Sequence, residues 1–316
     1  MKIVMLQSLG ISAAKLESLT RPFLELGHEL VVHEGPTDDE SLKVAVKDAD
    51  VLILANMPLS GAVIAAAEKL KFISVAFTGF DHIDLEQCKK QGVKVSNAAG
   101  YSTRSVAEIA FGLMIGLLRS VVPLDGIARQ GGTKDGYRQS DLYGKTLGVL
   151  GTGEIGAAVA ELGLAFGCRV VAWNRSEKPE LVQKGVTYMP LESVLKESDI
   201  VSIHTPLTDD TRHLINAERL QLMKPTSILI NTAVGPVVDN NALAEALHKG
   251  TIAGAGLDRT DMEPPIPADY PMLGAPNTII VPHVGYATDE ALERRADITF
   301  DNIRQWQQGA QENIVL

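Results

Sequence analysis

The stretch best equipped by residue type and spacing to do chemistry is Gly151-Thr152-Gly153-Glu154-Ile155-Gly156. An apolar strand pattern over 146–150 enters it, a helical pattern over 157–166 leaves it, and a second strand pattern follows at 169–173. The spacing alone is weak in a chain with 28 glycines. Between a strand and a helix it has a physical job. Gly151 permits a tight turn, Gly153 lets backbone approach a pyrophosphate, and Gly156 lets the helix pack closely on the strand. The helix start then offers free N–H groups and a positive dipole end. The chemistry implied is dinucleotide binding.

The position that meets the adenosine ribose lies 18 residues after Gly156 and is acidic in NAD enzymes. Here it is Asn174, followed by Arg175 and Ser176, with Lys178 nearby. An asparagine does not repel a 2′-phosphate, and Arg175 and Ser176 can pair with one. NADP is therefore favoured. The alternative is NAD, with Arg175 stacked on adenine. His28, His33, His82, His213 and His248 show no metal-ligand spacing, so no metal is assigned. No G-x-S-x-G elbow of a hydrolase occurs.

Several elements must position these residues. Strand-like runs at 2–6, 30–33, 51–55, 72–76 and 93–96 alternate with helical runs at 12–26, 39–46, 61–70 and 85–91. Ser12 and Ser60 read as N-caps, and Gly27 and Gly92 as stops. Such alternation predicts a parallel sheet covered by helices, a flavodoxin-like domain. Residues 101–119 form an apolar helix, expected to be buried, most simply between two domains. A polar, Gly-rich loop or arm covers 129–143. A second series of strands follows at 146–150, 169–173, 200–204, 227–231, 253–257 and 278–281, and a closing helix spans 289–308.

At 316 residues, two domains are the natural expectation. The 45% hydrophobic and 22% charged composition is that of a globular protein. A net charge of -10 without a basic run argues against nucleic acid or an anionic membrane as partner. The apolar run 109–118 is too short to span a bilayer. Cys88 and Cys168 suggest no disulfide framework, which suits a cytosolic location.

The chain resembles the D-isomer-specific 2-hydroxyacid dehydrogenases over nearly its whole length. The resemblance rests on ordered motifs. These are Thr78-Gly79-Phe80-Asp81-His82-Ile83-Asp84, Asn97 through Val106-Ala107-Glu108, the glycine loop and His204-Thr205-Pro206-Leu207-Thr208. They continue through Asn231-Thr232-Ala233, Gly254-Ala255-Gly256-Leu257-Asp258, Glu263-Pro264-Pro265 and Pro282-His283. It implies an α/β fold of two doubly wound parallel-sheet domains. A Rossmann cofactor domain at 99–286 is inserted in a flavodoxin-like substrate domain at 1–98 and 287–316. It also implies a homodimer built through the cofactor domains, and a small 2-oxo acid as substrate.

The same resemblance implies roles. His283 is the general acid, with Glu263 orienting its imidazole. Backbone at Thr78 and Gly79 holds the substrate carboxylate, and Asp258 the nicotinamide amide. His204, Thr205, Pro206, Thr232, Ala233 and Gly285 line the cofactor, with His204 equally readable as packing. One departure matters. After Asn231-Thr232-Ala233 the family has an arginine that clamps the carboxylate and polarises the carbonyl, whereas this chain has Val234. Its usual apolar pair after Leu257-Asp258 is replaced by Arg259-Thr260. The two segments should follow neighbouring strands about 4.8 Å apart. Either the guanidinium has moved to Arg259, or the clamp is lost. The first reading predicts a 2-oxo acid reductase; the second, a catalytically impaired nucleotide-binding or scaffold member of the fold.

Overall fold

A computed structural model describes all residues, 1–316. In chain order the elements begin β1 (Lys2–Met5), α1 (Ala13–Glu25), β2 (Glu29–Val32), α2 (Asp39–Val46), β3 (Val51–Leu54) and α3 (Gly61–Ala66). Next come β4 (Phe72–Val75), α4 (Leu85–Gln91), β5 (Lys94–Asn97), α5 (Thr103–Leu118) and α6 (Val121–Arg129). Then follow β6 (Thr146–Leu150), α7 (Glu154–Ala165), β7 (Arg169–Trp173), α8 (Pro179–Gln183), β8 (Thr187–Tyr188) and α9 (Leu191–Glu197). The chain ends with β9 (Ile200–Ile203), α10 (Ala217–Leu220), β10 (Ile228–Asn231), α11 (Asn240–His248), β11 (Gly254–Leu257), β12 (Thr278–Ile280) and α12 (Asp289–Gln307).

Two compact units result, Met1–Ser102 with Ala287–Leu316, and Thr103–Tyr286. The first carries a five-stranded parallel sheet in the order β2-β1-β3-β4-β5, the flavodoxin order. Its central strands β3 and β4 are buried on both faces, as helices on either side require. Ser12, Asp38, Ser60 and Asp84 cap its helices by accepting the N–H three residues on, each worth about 1 kcal/mol. Thr288 caps α12 in the same way, and Asp289 and Glu290 suit its positive end. α12 lies on the first sheet: Ser74 donates to the Thr299 carbonyl at 2.9 Å, and Phe72 stacks on Trp306 at 4.9 Å. The C-terminal segment of the chain thereby completes the core built by its first hundred residues.

The second unit carries seven parallel strands in the order β12-β11-β10-β9-β6-β7-β8, the doubly wound Rossmann arrangement with one extra strand. α5 has nine buried residues and packs on α7 and on β10, β11 and β12. α6, a short exposed helix after it, is not expected from the sequence. It begins at Ser120, which has a left-handed φ of 51° and makes no side-chain cap. Residues 130–145 carry no regular element, as expected for a loop. No single helix is long and apolar enough to cross a membrane.

Candidate active site

Strand register brings the second unit's sequence-selected residues into one row. Leu150 pairs with Trp173 and with Ile203, Asn231 with Ile203 and with Leu257, and Leu257 with Ile280. The residues directly after these ends are Gly151, Asn174, His204, Thr232, Asp258 and Val281. All sit at the carboxyl edge of the sheet, where open α/β sheets bind ligands. Thr78 and Gly79 belong to the other unit, beyond β4, where Asn97 donates from Nδ2 to the Thr78 carbonyl at 2.7 Å.

The glycine loop has a cradle's geometry. Gly151 takes a φ of 89°, and a Cβ at Gly156 would stand 1.9 Å from the Gly151 carbonyl oxygen. α7 begins at Gly153 without a side-chain cap, unlike the five helices capped by Ser, Asp or Thr above, so Glu154, Ile155 and Gly156 present helix-start N–H groups. The Thr205 and Thr232 hydroxyls are buried and have no hydrogen-bond partner. Buried hydroxyls are seldom left unpaired, which points to a polar ligand beside them. These residues fit a dinucleotide: an uncapped glycine-rich helix start for phosphates and orphan hydroxyls for its polar groups.

At the far side of the loop, Asn174 accepts from the Thr152 backbone N–H at 3.3 Å and donates to the Ser176 carbonyl at 2.8 Å. Arg175 and Ser176 are exposed. Lys178 pairs with Glu154 at 3.5 Å, and the Tyr188 hydroxyl donates to Thr152 at 2.9 Å. Sequence reasoning misses Tyr188, which lies 36 residues from its partner on a two-residue strand. His204 bonds Ser202 through Nε2 at 2.8 Å, and desolvation pushes its imidazole down to about 3, so it is neutral. Pro206 accepts from the Thr211 hydroxyl at 2.6 Å.

The other half of the row holds the titratable cluster. His283 Nδ1 and Glu263 Oε2 lie 2.8 Å apart, Arg259 Nη2 and Glu263 Oε1 2.9 Å, and Arg259 Nη1 and His283 Nε2 3.0 Å. A guanidinium only donates, so Nε2 must accept. The ring proton then sits on Nδ1 and is donated to Glu263. His283 is the best covered of the three, with 15% of its side chain exposed against 61% for Glu263. Tyr286 meets the imidazole edge-on at 5.0 Å.

Asp258 holds this corner in place. Its buried carboxylate accepts from the backbone N–H groups of Val284 at 2.8 Å and Gly285 at 3.1 Å, and its carbonyl accepts from the His283 N–H at 3.0 Å. Burial pushes the Asp258 carboxyl up, while those N–H groups, His283 and Arg259 pull it back. His283 needs the anchorage, because its φ of 55° is left-handed and costs a residue with a Cβ about 1–2 kcal/mol. The sequence cannot show this clamp, whose ends are 26 and 27 residues apart.

Val234 sits half-buried in the segment after β10 and packs on the second unit's apolar core. Asn231 shapes that segment by accepting from the Ala233 N–H and donating to the Val234 carbonyl. The neighbouring segment after β11 touches it: a Cβ at Gly235 would stand 1.8 Å from the Thr260 carbonyl oxygen. The two segments are thus in backbone contact, one carrying a valine and the other an arginine.

Comparisons with known proteins bear on the family and the fold. The family described as D-isomer specific 2-hydroxyacid dehydrogenase, NAD binding domain, matches residues 111–285. A glyoxylate reductase of Korarchaeum cryptofilum is 40% identical over 283 residues, covering 87% of this chain and 85% of that protein. D-lactate dehydrogenase with NAD+ from Lactobacillus jensenii superposes with a TM-score of 0.84 at 31% identity, over 100% of this chain and 99% of that one. An acyclic imino acid reductase in complex with NADPH and D-Arg gives a TM-score of 0.87 at 28% identity, over 100% of both chains. A doubly wound sheet with an uncapped glycine loop, a histidine–glutamate corner and relatives at this identity leave one assignment: the chain belongs to the D-isomer specific 2-hydroxyacid dehydrogenases.

Proposed function

We propose that the protein reduces small 2-oxo acids to 2-hydroxy acids with a nicotinamide dinucleotide, using Arg259 in place of the arginine absent at position 234. The observation that carries this reading is the closed set of contacts among Arg259, Glu263 and His283 at the carboxyl edge of the Rossmann sheet. When bound, the cofactor supplies the hydride that reduces the carbonyl carbon. His283 delivers a proton from Nε2 to the carbonyl oxygen, a task suited to an imidazole near neutral pH. Glu263 holds Nδ1 and so fixes the ring's orientation. Arg259 pairs with the substrate carboxylate. Asp258 secures the 283–285 backbone and would bind the nicotinamide amide.

Residues 99–286 serve as the cofactor domain and residues 1–98 with 287–316 as the substrate domain. Gly151 to Gly156, Asn174 to Ser176, His204 to Pro206, Thr232, Ala233 and Gly285 would hold the cofactor. NADPH is preferred over NADH, because Asn174 does not repel a 2′-phosphate and the exposed Arg175 and Ser176 can engage one. The chain works in the cytosol as a homodimer formed through its cofactor domain, where Val121, Val122 and Tyr143 are exposed.

The test is oxidation of NADPH, then NADH, with glyoxylate, hydroxypyruvate and pyruvate. Turnover with at least one acid, faster with NADPH, is expected. Tight cofactor binding without turnover on any of them would favour the impaired, nucleotide-binding reading that Val234 supports.

A further inference from the structure

Arg259 occupies the one atom of His283 that must carry the proton for reduction. Its Nη1 lies 3.0 Å from Nε2, while its Nη2 holds Glu263 at 2.9 Å. Because a guanidinium has five donors and no acceptor, a proton on Nε2 and the Arg259 N–H cannot share that line. Protonating Nε2 there would also set two cations face to face. As folded, the acid is disarmed.

We propose that Arg259 is a latch that an anionic substrate releases. A carboxylate matches the guanidinium fork bidentately and is a stronger partner than a neutral imidazole nitrogen. Drawn onto the substrate, Arg259 leaves Nε2, which takes a proton from solvent while Nδ1–H stays on Glu263. That proton passes from Nε2 to the carbonyl oxygen as hydride reaches the carbonyl carbon. With the hydride that a bound nicotinamide dinucleotide would supply, the carbonyl becomes an alcohol, and His283 returns neutral to Arg259. The groups facing His283 within its unit are consistent with one mobile cation. Glu263 lies on Nδ1, Tyr286 on the ring edge, and Asp258 is tied to the Val284 and Gly285 N–H groups. Selectivity for carbonyl compounds bearing an anion is thereby placed on proton transfer, in kcat as well as KM.

The inference rests on the reductase reading, and its test can fail separately from that reading. Nitrogen-15 imidazole spectra of the full chain with saturating NADPH, assigned through His283→Gln, report whether Nε2 carries a proton. At neutral pH the wild type should show Nε2 bare, and sodium oxamate, an unreactive carboxylate, should protonate it. Arg259→Leu should abolish the oxamate response, and Arg259→Lys, which keeps the charge, should retain it. In kinetics, Arg259→Leu should lower kcat on glyoxylate at least about tenfold, the scale of losing one charged hydrogen bond. A wild-type Nε2 that is protonated without oxamate, or an oxamate response surviving in Arg259→Leu, would overturn the latch. Absence of turnover on every 2-oxo acid with the oxamate response intact would sink the reductase reading and keep the latch.

Discussion

The segments after β10 and β11 leave neighbouring strands in register, touch through Gly235 and Thr260, and have opposite characters. The first turns Val234 onto the apolar core and has no charge of its own before Asp239. The second carries Arg259 onto the histidine–glutamate pair. Family resemblance expects an arginine on the first segment; the structure has one on the second, Arg259. Arg259, one strand over from Val234, reaches the His283 imidazole at 3.0 Å. On the proposed reading the cost lies in orientation, since Arg259 also bonds the atom that would have to become acidic.

The largest effect should come from removing what the charged segment converges on. His283→Ala is expected to lower kcat by about a hundredfold to ten-thousandfold, the range of general acid catalysis, while leaving the NADPH dissociation constant nearly unchanged. A near-normal rate would remove both segments from the chemistry.

Removing the charge itself comes next. Arg259→Val should lower kcat/KM on glyoxylate by roughly thirty- to several thousand-fold, from the 2–5 kcal/mol typical of a desolvated arginine–carboxylate pair. Full activity after that change would mean that neither segment holds the substrate.

Smaller effects are expected along the row, away from these segments. Arg175→Ala should weaken NADPH by about tenfold or somewhat more, the scale of a charged hydrogen bond, and leave NADH unaffected, as read by fluorescence titration. Equal losses for both cofactors would remove the 2′-phosphate role.

A separate effect, on stability and not on rate, concerns His204. Its folded-state pKa is lowered to about 3 from an unfolded value of 6.5, so its contribution is full above 6.5 and is lost as pH falls toward 3. Over that window it adds up to about 1.4 kcal/mol of instability per pH unit. His204→Gln should therefore flatten the acid limb of a plot of Tm against pH. An unchanged limb would place the acid sensitivity elsewhere.

Much of this arrangement is legible in the residues. The strand–loop–helix at Gly151 to Gly156 appears where expected because three glycines and flanking apolar runs agree locally. The caps at Ser12 and Ser60 and the expected strand runs match the elements found to within about a residue. The helix expected over 61–70 stops at Ala66, since Ala67 leaves helical backbone with a ψ of 74°. Helices α8 and α10 and strand β8 carry too few residues for a clear period, and tertiary packing decides them. In the site, Glu263 and His283 are readable by motif, and Arg259 by its departure from one. What joins them is not: the Asp258 clamp and the Arg259 contact to Nε2 link residues 24 to 27 apart through a fold, not a pattern.

The central claim is that the site's working guanidinium stands on the segment after β11. It is tested most directly by kcat/KM on glyoxylate for wild type, Val234→Arg, Arg259→Val and the double variant. Residues on touching segments are expected to couple strongly. Arg259→Val should lose most of the activity, and adding Val234→Arg to it should recover a large part, a gain far greater than Val234→Arg gives in the wild type. Independent effects, with Arg259→Val harmless and Val234→Arg equally effective in both backgrounds, would contradict the relocation.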